Sequence, residues 1–239
     1  MFAQKFFEVT SDEDKSELLP EQVFMEAVEQ TLMTRRSAKI DKLIKQARFP
    51  LPTASIAELE YLPGRNIDPA RMKRYATHQW RTDPMNLLIV SPSGGGKTYI
   101  ACAIGIAACH NEHSGYYTRM DELARQLSIA RDDRGAHHRL LEKLQEIDVL
   151  IIDDFLTVGI DQNIASDLFA VLADREHRLP TIIVSQTDPS YWVQVLPGRV
   201  AGDSIVNRLA NHTRWLSLGN TDMRKTKHDR DRDTTDFWE

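Results

Sequence analysis

Ser91-Pro92-Ser93-Gly94-Gly95-Gly96-Lys97-Thr98 is the stretch on which the reading of this 239-residue chain turns. The apolar run Leu87-Leu88-Ile89-Val90 precedes it. Tyr99-Ile100-Ala101-Cys102-Ala103 and the small residues up to Ala108 follow it and read as a helix. A strand, a glycine-rich turn ending in Gly-Lys-Thr, and a helix make a phosphate-binding loop. Glycines let successive backbone N–H groups point at phosphate oxygens with no Cβ in the way. The helix presents its positive N-terminus to the same anion. Lys97 is long enough to reach β- and γ-phosphates, and the Thr98 hydroxyl suits Mg²⁺. All eight residues are candidate nucleotide ligands, with Ser91 standing where the first glycine of the pattern belongs.

Two further strands end in chemistry. Val149-Leu150-Ile151-Ile152 runs into Asp153-Asp154. Behind a phosphate loop, Asp153 is the candidate Mg²⁺ carboxylate, and Asp154 the group that orients or deprotonates an attacking water. An aspartate is one methylene shorter than the more usual glutamate, so slow hydrolysis is expected. Thr181-Ile182-Ile183-Val184 runs into Ser185-Gln186. Gln186 is either a γ-phosphate or water contact or an ordinary polar turn residue.

The bulk properties are those of a soluble protein with one substantial domain and an appendage: 41% hydrophobic, 27% charged, net charge −5. That charge excludes a uniformly basic nucleic-acid binder but not a local basic patch. No apolar run is long enough to cross a membrane. The N-terminus turns acidic after Phe6-Phe7, unlike a signal peptide. Cys102 and Cys109 share one predicted helix and read as reduced core residues of a cytoplasmic protein. His110 and His113 have no Cys or carboxylate set to complete a metal site and read as surface residues.

Residues 1–30 are acidic, and Ser11 with Asp14 offers a helix cap. The sign then reverses over residues 31–50, with Arg35, Arg36, Lys39, Lys42, Lys45 and Arg48 against Asp41 alone. Helical spacing puts Arg35, Lys39 and Lys42 on one face, with Met33, Ile40, Ile44 and Ala47 round the other side. A basic amphipathic helix ending near Phe49-Pro50 is predicted. Its charges fit DNA phosphates, a merely solvated face, or a membrane surface. Pro50, Pro52 and Pro63-Gly64 mark a linker. Asp68-Pro69 reads as the cap and first position of a helix running to about Arg81.

From Asn86 onward strands and helices alternate. Strands are predicted at 86–90, 115–119, 149–153, 181–185 and 215–218. Helices are predicted at 97–110, 121–130, 139–145, 163–177 and 204–211. Continuous apolar strands imply burial on both faces, hence an α/β fold with a parallel, helix-covered sheet. The tail 226–239 is polar and reads as disordered.

The ordered set is selective. It comprises Ala47-Arg48-Phe49-Pro50 after the basic helix, the phosphate loop, Ile151-Ile152-Asp153-Asp154-Phe155, Asp174-Arg175-Glu176, Thr181–Gln186, Trp192, Ile205-Val206-Asn207-Arg208-Leu209, and Gly219 with Met223-Arg224. It resembles the IstB transposition-helper ATPases over roughly residues 24–225. These are of the AAA+ class, beside the DnaC-type helicase loaders. The resemblance implies a small helical N-terminal region (1–50) with a DNA-contacting helix, an AAA+ P-loop ATPase domain (51–225), and ATP and Mg²⁺ as cofactors. It implies that Gln186 is the sensor 1 residue, Arg208 an arginine finger reaching the ATP of a neighbouring subunit, and Arg224 the sensor 2 arginine. Arg35, Arg36, Lys39, Lys42 and Lys45 become candidate DNA contacts. The implied partners are double-stranded DNA, an IstA-like transposase and further copies of the chain, with no membrane. A helicase loader, a small-molecule phosphotransferase and a non-hydrolysing scaffold are the alternatives. In this chain Gln186 stands for the usual Asn, and the stretch from Gly219 to Arg224 is one residue longer than the common spacing.

Overall fold

A computed structural model describes residues 2–10, 19–77, 84–211 and 213–225. Its contacts divide the chain into two units, Met1–Leu43 and Ile44–Glu239. The division falls inside a helix, before the boundary near residue 50 that the prolines suggest. The candidate cap at Ser11, the expected helix extension to Arg81 and the polar tail 226–239 lie outside the described residues.

The first unit holds α1 (Phe2–Thr10) and most of α2 (Pro20–Ala47). Val9, Val23 and Ala27 form a small cluster there, and Phe2 meets Phe24 edge-on at 5.5 Å. The second helix spans 28 residues and runs back through acidic sequence well before the basic stretch. Pro20 does not interrupt it, because a proline at the first helical position forfeits no hydrogen bond. Met33, placed by the pattern on the packing side, is 70% exposed.

The second unit begins with the end of α2, where Ala47 and Phe49 are buried. In α3 (Pro69–Ala76), Asp68 caps the helix by accepting from the N–H groups of Ala70 and Arg71, and Met72 and Tyr75 are buried. The sheet follows in β1 (Asn86–Val90), β2 (Gly115–Arg119), β3 (Val149–Asp153), β4 (Thr181–Ser185) and β5 (Thr213–Ser217). Among the described residues these form one sheet of order β2-β3-β4-β1-β5, every pair parallel. The helices between them are α4 (Lys97–His110), α5 (Met120–Ala130), α6 (Arg134–Glu146), α7 (Gln162–Arg175), α8 (Pro189–Val195) and α9 (Arg199–Asn211). α5 and α7 start one residue, and α6 and α9 five residues, before their apolar periodicity indicates; in α6 and α7 an aspartate cap, Asp133 and Asp161, precedes the apolar face. The short α8 carries the same signal as α3, an Asp188 cap followed by a proline.

All of β3 and β4 is buried, so burial on both faces holds. One face packs Leu88, Tyr116, Leu150, Ile152 and Ile183 with Leu123, Leu168 and Trp192 from the helices. The other packs against α4, which is buried nearly all round. A Cβ at Gly105 would come 2.6 Å from the Phe49 ring and 2.9 Å from Ile151, so the glycine lets α4 lie flat. Burial pushes the Cys102 thiol up to about 12 and the Cys109 thiol up to about 11, so both stay protonated.

Parallel pairing puts every strand's C-terminal end on one edge. The phosphate loop leaves β1 there, beside Arg119 from β2, Asp153-Asp154 from β3 and Gln186 from β4. The chain runs from β1 out to β2, back through β3 and β4, then to β5 on β1's other side. The crevice at such a reversal is where open α/β sheets bind ligands.

Candidate nucleotide site

The loop Ser91–Thr98 holds its shape by backbone choices only glycine makes readily. Gly94 has φ of 87° and Gly96 of 82°, both left-handed. Lys97 is 7% exposed and turns back on its own loop: Nζ donates to the carbonyls of Ser91 at 2.7 Å and Pro92 at 2.8 Å. Burial lowers its pKa, against the opposing charges of Asp153 and Asp154, while nearby Arg224 adds to the lowering. An entering phosphate has only to draw this ammonium off two carbonyls.

Ser91, the departure from the glycine pattern, is buried and donates to the Pro92 carbonyl at 3.0 Å. Its hydroxyl occupies the space a Cβ on Gly95 would need, 2.3 Å from that position. The loop trades one glycine for another: Ser91 is tolerated because residue 95 has no side chain.

Asp153 is 3% exposed and fully engaged. Its Oδ2 accepts from the Thr98 hydroxyl at 2.7 Å and from the Tyr117 hydroxyl at 2.7 Å, and its Oδ1 from the Asp154 N–H at 2.7 Å. Burial and the Asp153 charge push the Tyr117 phenol up, keeping it a neutral donor. A carboxylate and a hydroxyl meeting at one point suit Mg²⁺, which takes few protein ligands and fills its shell with phosphate and water. Among the described residues no group of three or more His, Cys, Asp or Glu forms a metal cage.

Asp154 sits at φ of 50°, in a region an aspartate seldom adopts. That backbone aims its carboxylate along the edge, where Arg119 Nη1 meets it at 2.7 Å and Gln186 Nε2 donates to it at 3.4 Å. The segment after β5 covers the loop from another side. The Met223 N–H donates to the Gly94 carbonyl at 3.0 Å, and a Cβ on Gly94 would lie 2.4 Å from the Asp222 carboxylate.

The sequence profile of the IstB-like ATP binding proteins matches residues 2–231. The chain belongs to that family. The ATP-binding protein of insertion sequence IS1162 from Pseudomonas fluorescens is 35% identical over 163 residues, which are 68% of this chain and 70% of that one. Insertion sequence ATP-binding protein y4pL of Sinorhizobium fredii is 32% identical over 170 residues, 71% and 69% of the two chains. Among solved structures, the DnaC helicase loader superposes at a TM-score of 0.59 with 16% identity, covering 69% of this chain and 96% of that one. DnaI superposes at 0.58 with 21% identity over 72% and 91%. AMPPCP-bound DnaA from Aquifex aeolicus superposes at 0.59 with 15% identity over 75% and 56%, so this chain spans just over half of that one. At such identities the likeness speaks for the fold, which is that of the AAA+ P-loop ATPases. The IstB-like chain is an ATPase of that class.

The remaining site candidates of the IstB-like chain divide by position. Arg224 lies close enough to Lys97 for its charge to lower the Lys97 pKa, and its own N–H donates to Asp222 at 3.0 Å. Arg208 does not join its own loop. Its backbone carbonyl accepts from Asn86 Nδ2 at 3.4 Å, at the start of β1 and so at the opposite edge from the loop. Its guanidinium pairs with Glu176 at 2.9 Å and lies 4.6 Å from the Phe169 ring. Arg35, Arg36, Lys39, Lys42 and Lys45 are all exposed on α2. Tyr117, Arg119 and Asp222 escape the sequence reading. Only the β2–β3 pairing, Tyr117 opposite Ile151 and Arg119 opposite Asp153, brings the first two to the acids.

Proposed function

We propose that this chain is the ATP-controlled regulator of a DNA transposition system. It binds ATP with Mg²⁺, assembles with further copies of itself on duplex DNA, and presents that assembly to an IstA-like transposase. Hydrolysis resets it, so ATP acts as a switch between states of different DNA and partner affinity.

The observation that carries the reading is the position of Arg208. An arginine at the far edge of the sheet from its own phosphate loop could reach a γ-phosphate only in a neighbouring subunit, which supports a shared active site. Release from Glu176 frees it for that contact. Within one subunit, Lys97 takes the β- and γ-phosphate oxygens in place of its loop carbonyls. Thr98 and Asp153 would hold Mg²⁺, which would neutralise phosphate charge. Asp154 takes the proton of the attacking water, Gln186 aligns the pair, and Arg224 adds positive charge beside Lys97. The exposed cations of α2 contact DNA phosphates and fix position without reading bases. The insertion-sequence names of the relatives support a transposition role.

Electron microscopy of the chain on duplex DNA tests this. ATP should give ordered oligomers, ADP few, and Lys97→Ala none. Nucleotide-independent monomers on DNA would overturn the shared site. The fold of the DnaC loader favours a second reading, a helicase loader. Affinity capture that retains a replicative helicase and no transposase would decide for it.

A further inference from the structure

Arg65 lies in the linker before β1, outside every motif of the ATP site, yet its side chain ends on the phosphate loop. It is 3% exposed. Nη1 donates to the Glu60 carbonyl at 2.6 Å, and Nε is buried with no hydrogen-bond partner. A Cβ on Gly96 would come 2.7 Å from Nη2, so the guanidinium rests on the residue that caps α4. A cation and the positive end of a helix therefore meet at Gly96. Burial lowers the pKa of Arg65, only partly offset by Glu60. A desolvated cation with an orphaned donor, facing a helix N-terminus, is an arrangement completed by an anion.

The placement is built from both ends. The Gly219 N–H donates to the Arg65 carbonyl at 3.0 Å, and Asn66 Nδ2 donates to the Ser217 carbonyl at 2.7 Å. A Cβ on Gly219 would lie 1.6 Å from the Gly64 carbonyl, so the linker and the exit of β5 are backbone against backbone. This fixes the side on which Arg65 approaches. In the sheet, β1 lies between β4 and β5. The acids and Gln186, which mark the γ-phosphate, come from β3 and β4. Arg65 comes from the β5 side, away from the acids and Gln186.

We propose that Arg65 binds the α-phosphate of the nucleotide, the part that ATP and ADP share. It secures the nucleotide in both states of the switch and takes no part in hydrolysis. The proposal rests on the ATP site described above. The test is calorimetric titration of the full chain with ATP, ADP and GDP, alongside melting without nucleotide. Arg65→Ala should weaken ATP and ADP together by about 10- to 100-fold, the worth of one charge-assisted hydrogen bond. The preference for ADP over GDP should not change. Unchanged ADP affinity in the folded variant would make Arg65 a purely structural residue. Loss confined to ATP would place it at the γ-phosphate, and an altered ADP-to-GDP ratio would place it at the base. Each of those outcomes overturns the proposal. Arg65→Lys decides the matter if the alanine variant does not fold: it keeps the charge but not the fork, so an equal loss of about 3- to 10-fold is expected and no loss overturns. Lys97→Ala in the same titration separates the two readings. If it too binds normally, the phosphate loop itself is not the ATP site.

Discussion

Replacing Gly95 by Ala should cripple nucleotide binding, and replacing Ser91 by Gly in the same chain should restore it. The new Cβ would sit 2.3 Å from Ser91 Oγ, 3.1 Å from Ser91 Cβ and 3.5 Å from the Pro92 carbonyl. Gly95 is not among the positive-φ glycines, so alanine meets no backbone penalty there and the clash is the whole effect. To admit the methyl group the Ser91 hydroxyl must leave, forfeiting its bond to Pro92 for about 1 kcal/mol. Repacking a buried side chain beside a 3.1 Å contact adds about 1 kcal/mol more. A total near 2 kcal/mol corresponds to an affinity about 30-fold weaker. Ser91→Gly deletes both clashing atoms and leaves only the ordinary 3.5 Å contact, at about 0.5–1 kcal/mol for the added backbone freedom. The double variant should therefore bind ADP within about fivefold of the parent, a coupling of about 2 kcal/mol. Titration with a fluorescent ADP analogue across the four chains of the cycle measures it. A double variant as weak as Gly95→Ala, or an alanine variant within twofold of the parent, would show that residues 91 and 95 do not share that space.

Tyr117→Phe removes one of two hydroxyls from the Asp153 carboxylate, and should raise the Mg²⁺ concentration for half-maximal ATPase about tenfold or more; an unchanged Mg²⁺ curve would deny Tyr117 any hold on the metal. Arg175 is 1% exposed, and its guanidinium donates to Thr181 Oγ1 and to the carbonyls of Leu144, Gln145, Ile147 and Pro180. Arg175→Leu orphans these acceptors and should cost about 4 kcal/mol in urea unfolding, and a loss under about 1 kcal/mol would mean water replaces the guanidinium. Arg208→Ala should lose hydrolysis while keeping ATP affinity, and mixing it with an Asp154→Asn variant should recover some activity; equal loss of binding and turnover would place Arg208 outside a shared site. Neutralising Arg35, Lys39 and Lys42 together should flatten the slope of log affinity for duplex DNA against log salt by about 2–3, whereas an unchanged slope would leave them a solvated face.

What could be read in advance follows the range of the interaction. The glycines, Lys97 and Thr98 are consecutive because a phosphate cradle is made of consecutive backbone amides. β1, β3 and β4 announced themselves because burial on both faces demands unbroken apolar runs, whereas β5 is only partly buried and starts at Thr213, two residues before the position its apolar residues indicate. Met33 and the starts of α6 and α9 depart from the apolar pattern for a related reason. Periodicity reports which side chains can pack, not which neighbour is present or where a polar first turn begins.

By itself the sequence determined the phosphate loop, the acid-tipped strand Val149–Asp153, the parallel α/β character and, through the ordered set of motifs, membership of the IstB-like ATPases. Only the tertiary structure decided that Ser91 is paid for by Gly95, that Tyr117 and Arg119 hold the two acids, that Arg65 reaches Gly96, and that Arg208 lies at the edge of the sheet away from its own loop. The physical reason is the strand order. A sheet wound β2-β3-β4-β1-β5 sets residues from distant parts of the chain side by side at one edge, and pairings at that distance leave no trace in local spacing.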